Sequence, residues 1–348
     1  MKIQYDDKKH QEELYELWQA AFQDTTAFAE YYFQWVYPRN QVIVAADSEG
    51  ICSMLHLNPY TWVWKQKAHN EEAHKITACT KNLHYIVGVA TKETHRRQGF
   101  MAACMKQALQ DMEQAGEPFT YLMPAKKEYY EPFQFVMVKE ACKLRYENGS
   151  WSKEGKEAEG KEADYKLSPL RNLQYLEQLQ AELQCQDGAI LKWDASDAYA
   201  AYVKEVRKEE TVLIIEQLWL PETEKERRKE ILEKTVIPLL YRQAGVYPVE
   251  YQVSQAVMLR ILNLEQFVSL LPYEGADITL QVYVRDAICK GNEGGYSIFL
   301  SSRGNQVKRW KQEEEGKPDC VEWDIGQLTD WLLQNADFAG QMYMMEIV

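Results

Sequence analysis

Residues 83–135 read LHYIVGVATKETHRRQGFMAACMKQALQDMEQAGEPFTYLMPAKKEYYEPFQF, and this stretch decides the fold. Tyr85-Ile86-Val87-Gly88-Val89-Ala90 is a short apolar, β-branched run, the pattern of a buried strand. His95-Arg96-Arg97-Gln98-Gly99 interrupts it and opens a helix. From Phe100 onward, Met101, Cys104, Met105, Leu109 and Met112 recur at helical spacing, and Gly116 is placed as a C-terminal stop. Phe119-Thr120-Tyr121-Leu122-Met123 reads as a return strand closed by Pro124, followed by the tyrosine pair Tyr129-Tyr130. A strand entering a helix through a turn with glycine and arginine suits an anion. The first helical turn leaves backbone N–H groups unpaired at the positive end of the dipole. Gly99 lets a bulky group approach the main chain, with phosphate the usual occupant. Arg96 and Arg97 add charge-assisted donors.

The segment Arg96-Arg97-Gln98-Gly99-Phe100-Met101 resembles the cofactor motif of the GCN5-related N-acetyltransferases (GNAT), Gln/Arg-x-x-Gly-x-Gly/Ala after a fourth strand. Met101 departs from the small residue of that pattern. Gly88-Val89-Ala90-Thr91, Thr94-His95-Arg96-Arg97-Gln98-Gly99 and Tyr130-Glu131-Pro132-Phe133-Gln134-Phe135 are similar to the Eis-type (enhanced intracellular survival) subgroup. There His-Arg-Arg-x-Gly is followed by larger apolar residues. The resemblance is concentrated in residues 80–136.

At 348 residues the chain has length for two or three domains with substantial cores. Forty Lys and Arg against 53 Asp and Glu give a net charge of −13, which disfavours nucleic acid and anionic membranes and favours cationic or neutral partners. No apolar run approaches the roughly 20 residues that span a bilayer, and the acidic first 20 residues are not of signal-peptide type. Seven scattered cysteines without a C-x-x-C pair fit reduced thiols in a cytoplasm, with no metal site expected.

Leu14, Leu17, Trp18 and Phe22 share a helical face within residues 10–23, and Asp24-Thr25-Thr26 caps a second helix reaching Pro38. Gln41–Ala46 is a strand, Asp47-Ser48-Glu49-Gly50 a hairpin turn, and strands follow from Ile51 towards Trp64 and over Ile76–Thr91. Helix, helix, three strands, basic turn, helix, strand is the order of an acetyltransferase core. Val136–Glu147 reads as a strand ending a first domain at residues 1–150, before a charged tract at 147–164.

A second unit is expected over 165–255, with helices at Leu170–Leu183, Ala195–Lys204 and Glu224–Ala244 and a strand at Glu210–Leu218. It has no phosphate-binding turn, and the resemblance implies a degenerate GNAT-like domain. In a third unit over 256–348, Ile278, Leu280, Val282 and Val284 alternate with polar residues, Tyr296–Ser301 pairs with them, and Asp324 with Gln327 caps a helix. The resemblance implies a sterol-carrier-like α/β domain of structural role. The predicted class is α+β throughout. Met342-Tyr343-Met344-Met345-Glu346-Ile347-Val348 is apolar and strand-like to its final residue where chain ends are usually polar, so burial of the tail is expected.

The resemblance also supplies a chemistry. Acetyl-CoA would lie against Val87, Gly88 and Val89, its pyrophosphate at Arg96, Arg97, Gln98, Gly99, Phe100 and Met101, and its pantetheine arm between the strands ending at Thr91 and starting at Phe119. The Val89 N–H would face the developing oxyanion. Tyr130 falls where the family places its general acid, with Tyr129 the competitor. The family's terminal carboxylate, here Val348, would act as base, and Glu346 would attract a polyamine. Asp24 and Trp35, on aromatic and acidic helices, would line the pocket for a cationic amine. The expected activity is acetyl transfer by direct attack to an aminoglycoside, polyamine or lysine amine, in a homo-oligomer. The other readings are a non-catalytic acyl-CoA or lipid-binding sensor on a relic scaffold, and transfer of a longer acyl chain.

Overall fold

The computed structural model describes residues 1–67, 76–154, 166–194, 197–310 and 320–345. In chain order the first strands and helices are β1 (Lys2–Tyr5), α1 (Gln11–Ala21), α2 (Thr26–Tyr31), β2 (Gln41–Asp47), β3 (Gly50–Lys67), β4 (Ile76–Thr91), α3 (Phe100–Gln114), β5 (Phe119–Leu122) and β6 (Val136–Lys139). Next come β7 (Cys142–Glu147), β8 (Ser150–Glu154), β9 (Leu167–Pro169), α4 (Leu173–Gln184), β10 (Ala189–Leu191), β11 (Tyr199–Val206), β12 (Thr211–Trp219), α5 (Arg228–Ile231), α6 (Ile237–Ala244) and β13 (Val249–Ser254). The chain closes with β14 (Val257–Ile261), α7 (Leu264–Leu270), β15 (Ile278–Arg285), β16 (Gly294–Leu300), β17 (Gln306–Arg309), β18 (Val321–Asp324), α8 (Ile325–Asn335) and α9 (Phe338–Gln341). Among the described residues, no helix is long and apolar enough to cross a membrane.

These strands form three sheets of mixed α+β architecture. The first runs β1-β2-β3-β4-β5-β14-β6, with β9 added along β3. The second runs β10-β11-β12-β13-β7-β8, and the third β17-β16-β15-β18. Sheet membership is not divided at residues 150 and 256. The run Val136–Glu147, expected as one strand, breaks after Lys139: β6 stays in the first sheet while β7 pairs with β13 in the second. In return β14, from late in the chain, inserts between β5 and β6.

Local chemistry explains the first unit. Thr25, not Asp24, is the N-cap of α2, its hydroxyl accepting the Phe28 N–H at 3.2 Å. The helical run then widens into a π-turn over Tyr32–Val36 and tightens over Tyr37–Arg39, where Pro38 prevents continuation. Helix α3 ends on Gly116 at φ +76°, with Gly116 N bonded to Glu113 O (2.9 Å) and Glu117 N to Met112 O (3.0 Å), the paired bonds of a Schellman stop.

Of the helix expected at Ala195–Lys204, Ala195 and Ser196 lie outside the described residues, and residues 199–204 belong instead to β11. Its alanines hide a period of two: Ala198, Ala200 and Tyr202 enter one core, while Tyr199, Ala201 and Val203 enter another on the opposite face. A strand covered on both sides carries apolar residues at every position, so composition favours a helix until its partners are known. The capping box at Asp324 and Gln327 is present, at 2.8 and 2.9 Å.

The cores follow the sheets. Helices α1 and α2 cover one face of the first sheet, where Trp18, Tyr32, Phe33 and Tyr37 pack on Val42, Val44 and Met54. The other face carries Phe100, Cys104, Met105 and Leu109 of α3, and that core continues without a break into Val282, Val284, Ile298, Ile325 and Leu328 of the third sheet and α8. The first and third units therefore share one apolar interior.

Candidate active site

The site begins at a defect in the β3–β4 ladder. Met54 faces Ala90 and His56 faces Val87, so Leu55 alone opposes both Gly88 and Val89. This is a β-bulge, and Gly88 takes it at φ +60°. Bulge and packing both demand glycine: a Cβ there would meet Cζ3 of Trp18 at 2.6 Å and Cγ of His56 at 3.3 Å. On its other edge β4 pairs with β5 only at Tyr85–Tyr121 and Ile86–Leu122. Beyond Ile86, β4 runs on to Thr91 while β5 has ended, so the main chain of Val87–Thr91 is open towards the diverging strand. An extended polar chain can pair with such an edge.

At the end of β4 the turn is tied down from beneath. Lys92 N bonds Cys52 O (2.8 Å), Lys92 Nζ meets Glu13 Oε1 (3.2 Å), and His95 Nε2 meets Asp47 Oδ2 (3.1 Å). Gln98 Nε2 donates to Thr94 O at 2.9 Å. Arg97 at φ +62° and Gly99 at φ +86° then turn the chain into α3. Arg96, Arg97, Gln98 and Gly99 are exposed, and none of the described residues lies within 4 Å of where a Gly99 Cβ would stand. Gly99 offers no side-chain cap, so the first-turn N–H groups of α3 face outward. Among the described residues neither arginine has an ion-pair partner. Phe100 is buried beneath this turn and Met101 half-buried. Asp47, Cys52 and His95 do present ligand atoms within 4.8 Å of one another, but the contacts from Asp47 to both partners already account for the grouping.

The tyrosine pair separates by burial. Two short 3₁₀ turns, Lys127–Tyr129 and Glu131–Phe133, are followed by Gln134 at φ +64°. Tyr129 is 54% exposed, whereas Tyr130 is 7% exposed and edge-on to Phe135. Burial, then the neighbouring Tyr129, pushes the Tyr130 phenol up to about 12, so it stays protonated through neutral pH. The Cys104 thiol is likewise pushed up to about 12 by burial, which disfavours a thiolate nucleophile.

On the helical side, Asp24 is exposed and accepts Trp18 Nε1–H at 3.0 Å. Trp18 stacks on Tyr32 at 4.1 Å between centroids. The Tyr32 hydroxyl meets His56 Nδ1 at 2.7 Å and accepts from Asn40 Nδ2 at 2.9 Å. Asp24 is thus linked through Trp18 to the glycine bulge. Trp35 stands apart, 44% exposed on the π-turn, its carbonyl accepting from Arg39 Nε and Nη2 at 3.0 and 2.7 Å. A separate groove of about 760 Å³ between α1 and α2 is lined by Gln11, Glu12, Tyr15, Glu30, Phe33 and Gln34.

His56 escaped the sequence reading. It is fully buried, its Nε2 has no hydrogen-bond partner among the described residues, and burial, helped by Lys8, depresses it to about 3, so the ring is neutral. A lone histidine inside the apolar run Ile51–Leu57 was the available signal.

Val348 and Glu346 lie outside the described residues. The tail before them is buried from Met342 to Met345. Tyr343 N bonds Leu167 O at 2.8 Å, Lys139 Nζ bonds the Met342 carbonyl, and Arg171 lies between the rings of Trp219 (4.1 Å) and Tyr343 (4.3 Å).

Residues 2–138 match the family described as acetyltransferase (GNAT) domain. No curated protein matches the sequence. Over 99% of this chain the structure is similar to a probable N-acyltransferase of Enterococcus faecalis V583 (15% identity, 96% of that chain, TM-score 0.68). It is similar over 99% to a GCN5-related N-acetyltransferase of Anabaena variabilis (15% identity, 98% of that chain, TM-score 0.65). It is similar over 94% to Eis1 of Mycobacterium abscessus (13% identity, 88% of that chain, TM-score 0.63). Residues 2–138 thus match the GNAT acetyltransferase domain family, and the fold is similar along almost the whole length of the chain to that of these proteins.

Proposed function

We propose that this protein is an acetyl-CoA-dependent N-acetyltransferase of Eis type, acting on a cationic amine by direct attack. The observation that carries this reading is the junction of three features at one end of β4: a glycine bulge, an edge left open by β5, and an uncapped, arginine-flanked helix start. In this reading the pantetheine amides pair with Val87–Val89 and the pyrophosphate sits on Arg96, Arg97 and the first turn of α3, Gln98 to Met101. The Val89 N–H faces the thioester oxygen as it gains charge.

The reaction balances simply. The neutral amine forms the new C–N bond, the C–S bond breaks, the amine loses a proton and the thiolate gains one. Tyr130, buried and protonated, is the proton donor to sulfur. The Val348 carboxylate is the proposed base, and Glu346, Asp24 and Trp35 are proposed to attract and line the acceptor. The substrate class is a polyamine, aminoglycoside or lysine amine, in keeping with the acidic net charge. The parallel β12–β13 crossover, which resembles β4–α3–β5 without its basic turn, supports a degenerate GNAT-like second domain. A sterol-carrier-like third domain, a homo-oligomeric assembly and a cytoplasmic location belong to the same proposal.

Free CoA release measured over a panel of amines tests it. Turnover with at least one amine is expected, and Tyr130→Phe should lower kcat by about 10²–10⁴-fold with little change in KM. Tight CoA binding without turnover on any amine would instead favour an acyl-CoA sensor.

A further inference from the structure

The turn that carries Tyr130 is fastened by residues far along the chain. Phe133 closes the second 3₁₀ turn, and its carbonyl accepts Nε of Arg260 at 2.7 Å. Arg260 lies in β14, the strand inserted between β5 and β6, and is completely buried. Its Nη1 donates to Ile261 O at 2.7 Å and reaches Cys289 Sγ at 3.3 Å, and its Nη2 donates to Asp286 Oδ1 at 2.7 Å. Asp286, 1% exposed, also accepts the N–H groups of Ile288 (3.0 Å) and Cys289 (2.9 Å) and Asn292 Nδ2 (3.1 Å). Each nitrogen of the fork thus has a fixed target. A second contact comes from Gly326 in the first turn of α8, where a Cβ would stand 3.4 Å from both Cβ and O of Gln134.

A buried ion pair contributes little net stability compared with apolar residues of the same volume. What a guanidinium supplies is direction, since its planar fork holds several acceptors at fixed angles. Here one of those acceptors is the carbonyl three residues after Tyr130. The Tyr130 carbonyl in turn accepts Phe133 N (3.0 Å) and Phe135 N (3.4 Å), so the orientation of Phe133 is passed back within one turn.

We propose that Arg260, held by Asp286, is a positioning residue for Tyr130, so that the late strand β14 sets the aim of the proton donor in the first unit. This rests on Tyr130 being that donor. It is independent of any role for the chain terminus.

Arg260→Lys keeps a charge beside Asp286, but a single ammonium cannot serve the acceptors of the fork. Kinetics of the full chain, with and without Tyr130→Phe, form the test, and circular dichroism reports folding. Arg260→Lys is expected to lower kcat by about 10–100-fold, leave KM for acetyl-CoA within about twofold, and add less than about twofold in the Tyr130→Phe background. If Arg260→Lys does not fold, the neutral pair Arg260→Met/Asp286→Leu carries the same measurement. A silent Tyr130→Phe would remove the donor itself. If Tyr130→Phe is slow while the folded Arg260 variant is as active as the parent, or is slowed equally in both backgrounds, only the positioning role is overturned.

Discussion

Gly88→Ala is the sharpest probe of the bulge on which the candidate site is built. Two separate costs are fixed by the structure. At φ +60° a residue with a Cβ sits in the left-handed region, at about 1–2 kcal/mol. The new methyl would also lie 2.6 Å from Trp18 Cζ3, in a layer where Trp18 is stacked on Tyr32 and cannot withdraw freely. Overpacking of that kind costs about 1–3 kcal/mol. Together the substitution should lower the apparent unfolding free energy by about 2–5 kcal/mol, a large share of the roughly 5–15 kcal/mol typical of a folded domain. Urea denaturation of the parent, Gly88→Ala, Trp18→Phe and the double variant separates the costs. The smaller phenylalanine ring should recover the steric part, giving a favourable coupling of about 1–3 kcal/mol, and leave the backbone part in place. Calorimetry on the same proteins should show weaker CoA binding in Gly88→Ala, because the bulge sets which amides of Val87–Val89 face outward. A Gly88→Ala protein within about 0.5 kcal/mol of the parent, with CoA affinity unchanged, would refute this reasoning.

Replacing Arg96 and Arg97 by Ala should weaken CoA binding by about tenfold per side chain, with a shallower salt dependence. Calorimetry at two ionic strengths checks this, and an unchanged affinity would remove the phosphate cradle. His56 titrates near 6.5 when unfolded and near 3 when folded. Its contribution to stability is therefore complete above pH 6.5 and is lost as pH falls towards 3. Between pH 7 and 4.5 the parent should lose about 2–3 kcal/mol more than His56→Gln. Equal losses in denaturant titrations at the two pH values would show that the ring is not held neutral.

Much of the first unit was legible because its signals are local. The strand at Ile76–Thr91, the basic turn, the helix opening at Phe100 and its stop at Gly116 are set by residues a few positions apart, through side-chain period and the left-handed freedom of glycine. The capping box at Asp324 and Gln327 is local for the same reason. Ala195–Lys204 was misread because a strand buried on both faces has no polar side to show its period. Within the expected cap Asp24-Thr25-Thr26, Thr25 is the residue that caps α2, while Asp24 accepts from Trp18 Nε1, a partner six residues back. The groups around the candidate site that depend on distant partners leave little local signal. His56 is an ordinary strand residue until Trp18, Tyr32 and Gly88 enclose it, and Arg260 is an unremarkable charge until β14 is placed beside β5.

The sequence alone determined that the arginines, the glycine and the helix start of Arg96–Met101, on which the proposed phosphate cradle rests, belong to one continuous turn. Tertiary structure alone decided which tyrosine is shielded from water, with Tyr130 at 7% exposure and Tyr129 at 54%. It also decided that the carbonyl after that shielded turn is held by Arg260, 127 positions further along. Burial and long-range pairing are properties of the assembled layers. No spacing within the chain encodes them, because the partners are chosen only when the sheets close over a common core.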